Sequence, residues 1–115
     1  MADVVSLHIP LADGTRHLLD ARRLAAMKPG AILVNAARGG VVDEAAVAAA
    51  LTSGHLGGAA LDVFETEPLT ADAAAIFAGV PNLILTPHIA GVTTESNARV
   101  SDLVADHVLA HLARS

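Results

Sequence analysis

The sequence predicts a parallel α/β fold. Short apolar runs rich in Val, Ile, Leu and Ala begin near residues 4, 31, 57 and 83, at intervals of 27, 26 and 26 residues. Turn residues follow each run, and segments with helix-capping residues lie between them, the rhythm that successive strand–crossover–strand units require. Residue identities do not repeat at that interval, which excludes a solenoid.

Each element has a local cause. Asp3 to Leu7 is β-branched and apolar, and His8-Ile9-Pro10 ends it because Pro10 lacks an N–H and biases Ile9 to extended backbone. Asp13-Gly14 marks a turn. Asp20 caps a short helix over Ala21 to Met27, with Leu24 and Met27 on one face, and Lys28-Pro29-Gly30 stops it. The run Ala31 to Val34 enters Asn35-Ala36-Ala37-Arg38-Gly39-Gly40, a buried strand running into a tight loop. Asp43 caps the next helix, which runs to about Thr52 and is closed by Gly54.

A third strand covers Gly57 to Phe64, where small residues allow close backbone approach. Glu65 to Pro68 is polar, and Thr70 to Ala78 is at most a short helix. The fourth strand, Leu83 to Leu85, ends at Thr86-Pro87-His88. Thr93 caps the last helix, and Glu95 in its first turn suits the helix dipole. Val100, Leu103, Val104, His107, Val108 and Leu112 form an apolar stripe along it. Four strands with two or three short helices between them leave sheet surface uncovered, so the chain reads as half of a larger fold.

Composition narrows the function classes. With two Phe and no Trp or Tyr, there is no base-stacking platform for single-stranded nucleic acid. A net charge of −5 disfavours nucleic acid and anionic membrane surfaces. No apolar run approaches the roughly 18 residues of a membrane span. The first ten residues carry Asp3 and lack the basic start of a signal peptide. No cysteine is present, so disulfides and thiolate metal sites are excluded, and a cytoplasmic location is expected. His107 and His111 lie at i, i+4 spacing without an HExxH frame, and no metal site is expected.

Ligands of open α/β sheets bind beyond the carboxyl ends of the strands. Four segments fall there: His8 and Ile9, Ala36 to Arg38, Asp62 to Glu67, and Thr86 to Gly91. An arginine fork clamps a carboxylate at two points. A histidine paired with a carboxylate is oriented and kept protonatable, as a general acid must be. Together they suit reduction of a 2-oxo acid. Taken singly, Arg38 and His88 also read as loop residues and Glu67 as a solvated turn residue, whereas Asp62 at the end of an apolar strand must find a partner or a ligand.

Four motifs carry a specific resemblance: LHIPL (Leu7 to Leu11), MKPGAILVNAARGGVVDE (Met27 to Glu44), GAALDVFETEP (Gly58 to Pro68) and TPHIAG (Thr86 to Gly91). In this order, over nearly the whole chain, they resemble the D-isomer-specific 2-hydroxyacid dehydrogenases, the family of D-3-phosphoglycerate, glyoxylate/hydroxypyruvate and formate dehydrogenases. The resemblance implies a partial Rossmann-like doubly wound sheet of about four strands with flanking helices and a C-terminal helix. It implies that Arg38 binds the substrate carboxylate and that Glu67 partners the acid–base His88. It further implies that Asp62 bonds the nicotinamide carboxamide, and that Ile9, Ala36, Ala37, Arg38 and the backbone of His88, Ala90 and Gly91 line the cofactor. NAD or NADP is the implied cofactor, and a small 2-oxo or 2-hydroxy acid the implied substrate.

The sequence departs from the family pattern in one respect: the GxGxxG loop that precedes LHIP in the family does not occur. Residues 1–115 are therefore expected to be the carboxyl half of the cofactor domain, without the glycine-loop half and without the substrate domain apart from the final helix. A piece with little activity alone is the leading expectation. The alternatives are a non-catalytic remnant acting as a binding or oligomerisation module, and a minimal enzyme completed as a homodimer through the open edge of the first strand.

Overall fold

The computed structural model describes residues 2–114. The elements follow in the order β1 (Val4–Leu7), α1 (Ala21–Ala25), β2 (Ile32–Asn35), α2 (Glu44–Thr52), β3 (Gly58–Leu61), α3 (Ala71–Ala74, continued by a 3₁₀ turn over Ala75–Phe77), β4 (Leu83–Leu85) and α4 (Thr94–Leu112). The four strands pair in parallel in the order β1-β2-β3-β4. This is the parallel α/β sheet that the sequence predicts and the Rossmann-like sheet that the resemblance implies, wound here in one direction rather than doubly wound. Right-handed crossovers in one direction place successive helices on one face. Accordingly α1 packs on α2, and α2 on the 3₁₀ turn.

Register and alternation divide the strand residues into two sets. Val5, Leu33, Ala59 and Leu83 lie in one row, and Leu7, Asn35, Leu61 and Leu85 in another. These rows face the helices, where Leu24, Leu33, Val47, Leu51, Leu56 and Leu61 are buried. Phe64 and Phe77 close the core at one end, edge to face with centroids 6.1 Å apart. On the opposite face, Val4, Ile32 and Ile84 are exposed.

The capping residues act as their positions predict. Asp20 accepts the N–H of Arg23 at 2.8 Å, Asp43 that of Ala46 at 3.0 Å, and Thr93 forms a reciprocal capping box with Ser96. The elements are shorter than read from sequence at two places. The β3 ladder stops at Leu61, and Asp62 beyond it bonds the loop after β4. The helix α1 stops at Ala25 and tightens into a turn in which the Met27 N–H reaches the Leu24 carbonyl. The stripe along α4 is present but covers nothing: no described residue of α4 is buried, and Val100, Leu103, Val104, Val108 and Leu112 are all more than half exposed.

One close approach fixes the loops at the carboxyl edge. The Gly39 backbone lies so near residue 64 that a Cβ on Gly39 would sit 1.7 Å from the Phe64 carbonyl oxygen. That oxygen belongs to the backbone and cannot swing aside. Gly39→Ala is therefore expected to destabilise the fold by roughly 3 kcal/mol or more. Gly14→Ala, with nothing within 4 Å of the added carbon, should change stability by less than about 0.5 kcal/mol. Urea unfolding followed by far-UV circular dichroism compares the two, and equal midpoints would mean that the close approach is not maintained.

Candidate active site

The carboxyl ends of adjacent parallel strands bring four loops to one edge of the sheet. After β2 the buried Asn35 shapes the turn. Its Oδ1 accepts the Ala37 N–H at 3.1 Å, and its Nδ2 donates to the Arg38 carbonyl at 3.1 Å. One side chain thus satisfies the backbone that leaves the strand. Ala36 and the Arg38 side chain are presented outward while Ala37 stays buried. The Arg38 guanidinium donates to the Ala37 carbonyl at 2.6 Å. It therefore bonds its own turn rather than Glu67 or His88.

Asp62, only 6% exposed, follows β3. Its Oδ1 accepts the Thr86 hydroxyl at 2.6 Å and the Ile89 N–H at 2.9 Å, and its Oδ2 accepts the Ala90 N–H at 2.9 Å. Burial alone would push this carboxyl up, but the Thr86, Ile89 and Ala90 hydrogen bonds outweigh it and hold the group below its ordinary value. The partner that Asp62 requires is therefore the loop that carries His88. Three of its roughly four acceptor positions are taken, which leaves one lone pair for an amide donor.

His88 takes the left-handed backbone conformation at φ 55°, and its N–H bonds the Thr86 carbonyl at 3.0 Å. Its Nδ1 lies 2.8 Å from Glu67 Oε2, while Glu67 Oε1 accepts the Phe64 N–H at 2.9 Å. Both Glu67 oxygens are engaged. The His88 hydrogen bond and then the Phe64 N–H hold this carboxyl below its ordinary value. An ionised Glu67 accepts the Nδ1 proton, which leaves Nε2 as the ring nitrogen facing away from the pair. Beside the pair lies an open groove of about 420 Å³, walled by Phe64, Pro68, Leu69, Leu85 and Pro87.

Of the residues marked from sequence, Glu67 and His88 are in direct contact, and Asp62 holds the loop containing His88 and Ala90. Ile9, on the loop after β1, is half-buried at the margin of the core. At Gly91 an added Cβ would meet nothing within 4 Å, and its carbonyl accepts the Ser96 hydroxyl at 2.9 Å. Among the described residues, no group of three or more His, Cys, Asp or Glu side chains is gathered to hold a metal ion. No helix among them is long and apolar enough to cross a membrane.

A second acidic cluster at the same edge was not legible as such. Glu44, at the first position of α2, is buried and accepts the Glu65 N–H at 2.6 Å. Burial pushes its carboxyl up, against the Glu65 hydrogen bond. Glu65 Oε1 lies 2.9 Å from the His17 ring, and Glu65 Oε2 lies 3.6 Å from Arg16. These residues are 21 and 48 positions apart in sequence, and the only local signal was the acidic residue in the first turn of α2.

The model of the D-isomer specific 2-hydroxyacid dehydrogenase NAD binding domain matches residues 1–90. The (S)-sulfolactate dehydrogenase of Chromohalobacter salexigens is 64% identical over 93% of this chain and 34% of its own length. The glycerate dehydrogenase of Methylorubrum extorquens is 44% identical over 97% of this chain and 36% of its own. The chain thus spans about a third of the length of these relatives. Among solved structures, the TT0316 protein of Thermus thermophilus superposes with a TM-score of 0.87 at 46% identity, covering 97% of this chain and 35% of that one. The D-lactate dehydrogenase of Aquifex aeolicus, solved with NAD and lactic acid, superposes at 0.86 with 34% identity, covering 97% and 38%. With the fold, the strand-end loops and the family match in agreement, the chain belongs to the NAD binding domain family of the D-isomer specific 2-hydroxyacid dehydrogenases.

Proposed function

We propose that this chain supplies the acid–base and carboxylate-binding groups of an NAD(P)-dependent D-2-hydroxyacid dehydrogenase. The observation that carries the reading is the 2.8 Å contact between His88 Nδ1 and Glu67 Oε2 at the mouth of the sheet. Glu67 holds the imidazole by Nδ1, so Nε2 delivers a proton to the carbonyl oxygen of a 2-oxo acid or removes one from a 2-hydroxy acid. Arg38, at the end of β2, binds the substrate carboxylate through its guanidinium fork. The nicotinamide supplies or accepts the hydride when bound.

The residues present suit the nicotinamide end of the cofactor. Ala36 and Ala37 leave room beside β2, Asp62 keeps one acceptor position for the carboxamide, and Ile9, His88, Ala90 and Gly91 complete the lining. The GxGxxG cradle for the pyrophosphate is not among these 115 residues. For this reason the chain alone is expected to turn over slowly or not at all. The 64% identity to a sulfolactate dehydrogenase makes sulfolactate the first substrate to try, with glycerate and lactate beside it.

A chimera in which residues 1–115 replace the matching third of the Chromohalobacter relative is the direct test. It should oxidise a 2-hydroxy acid, with His88→Gln lowering kcat by about 10² to 10⁴-fold and Arg38→Ala acting mainly on KM. A chimera that binds NADH in a calorimeter but keeps full turnover with His88→Gln would sink the assignment. A chimera that folds yet neither binds NADH nor turns over would favour a non-catalytic binding module.

The same carboxylates set a pH dependence of stability. Glu67 and Asp62 ionise more readily folded than unfolded. Their contribution is fully present above the ordinary values of 4.5 and 3.8 and is lost as pH falls through the depressed folded values. Glu44 acts with the opposite sign, its contribution being present in acid and lost as pH rises through its raised folded value. Urea midpoints measured from pH 7 to pH 3 should fall in acid, and Asp62→Asn should flatten that fall. An unchanged slope in Asp62→Asn would mean that its hydrogen bonds are not kept in solution.

A further inference from the structure

We infer that His17 and Glu65 are positioning residues that brace the Arg38 turn against the Glu67–His88 pair. The inference rests on the acid–base reading of that pair. His17 makes two bonds in different directions. Its backbone N–H donates to the Gly40 carbonyl at 2.7 Å, two residues beyond Arg38. Its ring Nε2 lies 2.9 Å from Glu65 Oε1, two residues before Glu67. One residue of the loop after β1 thus holds the loop after β2 by its backbone and the loop after β3 by its ring. Its φ of 47°, in the left-handed region, turns the chain so that both bonds can form.

The peptide between Phe64 and Glu65 is held on both of its polar sides. Its N–H donates to Glu44 Oε1 at 2.6 Å, and its carbonyl oxygen occupies the place where a Cβ on Gly39 would sit. The preceding N–H, that of Phe64, is taken by Glu67 Oε1. Consecutive N–H groups are therefore aimed at two different carboxylates, which fixes the orientation of the turn at two points. The His17 ring, with Arg16 at 3.6 Å from the other oxygen, ties the Glu65 side chain across that turn. Exposed pairs of this kind add little to stability. What the brace fixes is direction: which way Glu67 Oε2 points, and through it which imidazole nitrogen of His88 carries the proton.

The test needs neither cofactor nor turnover. Long-range ¹H–¹⁵N correlation spectra of the imidazole rings, recorded on the chain at mildly alkaline pH, report the tautomer of His88. The parent chain should show His88 protonated at Nδ1, and Glu67→Ala, which removes the acceptor, should abolish that preference. His17→Ala and Glu65→Ala should each abolish it too. Glu65→Gln, which keeps an acceptor for the His17 ring, should restore it. His55, whose ring bonds the Leu24 carbonyl at 3.1 Å away from this edge, should keep its signature in every variant. If Glu65→Ala perturbs His55 as well, the half-exposed His17→Ala decides. An Nδ1-protonated His88 that survives His17→Ala overturns the brace and leaves the acid–base reading standing. A parent chain with no Nδ1 preference at His88 overturns both.

Discussion

The last strand of the sheet is three residues long, and the helix after it packs on nothing described, so something else must hold the loop between them in place. The Asp62 carboxylate does this. It reaches from the end of β3 across to the next loop and accepts one hydroxyl and two backbone N–H groups there. A neutral side chain could accept some of these bonds, but three donors converging on one group favour a full negative charge. The charge is depressed in pKa rather than raised even though the residue is nearly buried, which shows that the donors outweigh desolvation. His88 lies within the span that Asp62 ties down, so the site depends on this carboxylate for its shape as well as for any contact it makes with a ligand.

The strand-end loops are then joined to one another mainly by polar side chains bonding loop backbone. Asn35 closes the Arg38 turn, Gly39 admits the Phe64 carbonyl, Glu44 and Glu67 share the N–H groups of Glu65 and Phe64, and His17 ties two of the loops. The Asn35, Glu44 and Glu67 links pair backbone groups that would otherwise be left without a partner within the chain. The core beneath is aliphatic and aligned by register. It sets where the loops begin, and the polar links set where they end.

Much of this was legible before the structure. The strands were readable as β-branched or aliphatic runs bounded by Pro and Gly, and the caps Asp20, Asp43 and Thr93 were readable because capping is a local interaction within three residues. Strand ends in a parallel sheet share an edge, which marks the segments carrying Arg38, Glu67 and His88, and the family resemblance of the motifs around them singles out those three residues. Less was readable where the determining contact is remote. Nothing near Asp62 states that its partners lie 24 to 28 residues on. Nothing around Glu44 in the sequence marks it for burial, and only the folded chain shows it buried and bonded to the Glu65 N–H. The stripe on α4 is a true helical pattern, but periodicity says that a face is apolar and not what lies against it.

The Glu67–His88 pair has a further property that follows from where its members sit. They are 21 residues apart and belong to the loops that close a single strand–crossover–strand unit. Their contact is consequently of low sequence separation for a parallel sheet, where pairings are generally slow because a long crossover must close first. On a chain emerging from the ribosome, the Glu67–His88 contact can therefore form once β4 and Thr86 to His88 have docked on β3, without waiting for α4 to fold. The contact is made within one supersecondary unit of contiguous sequence, β3 to β4.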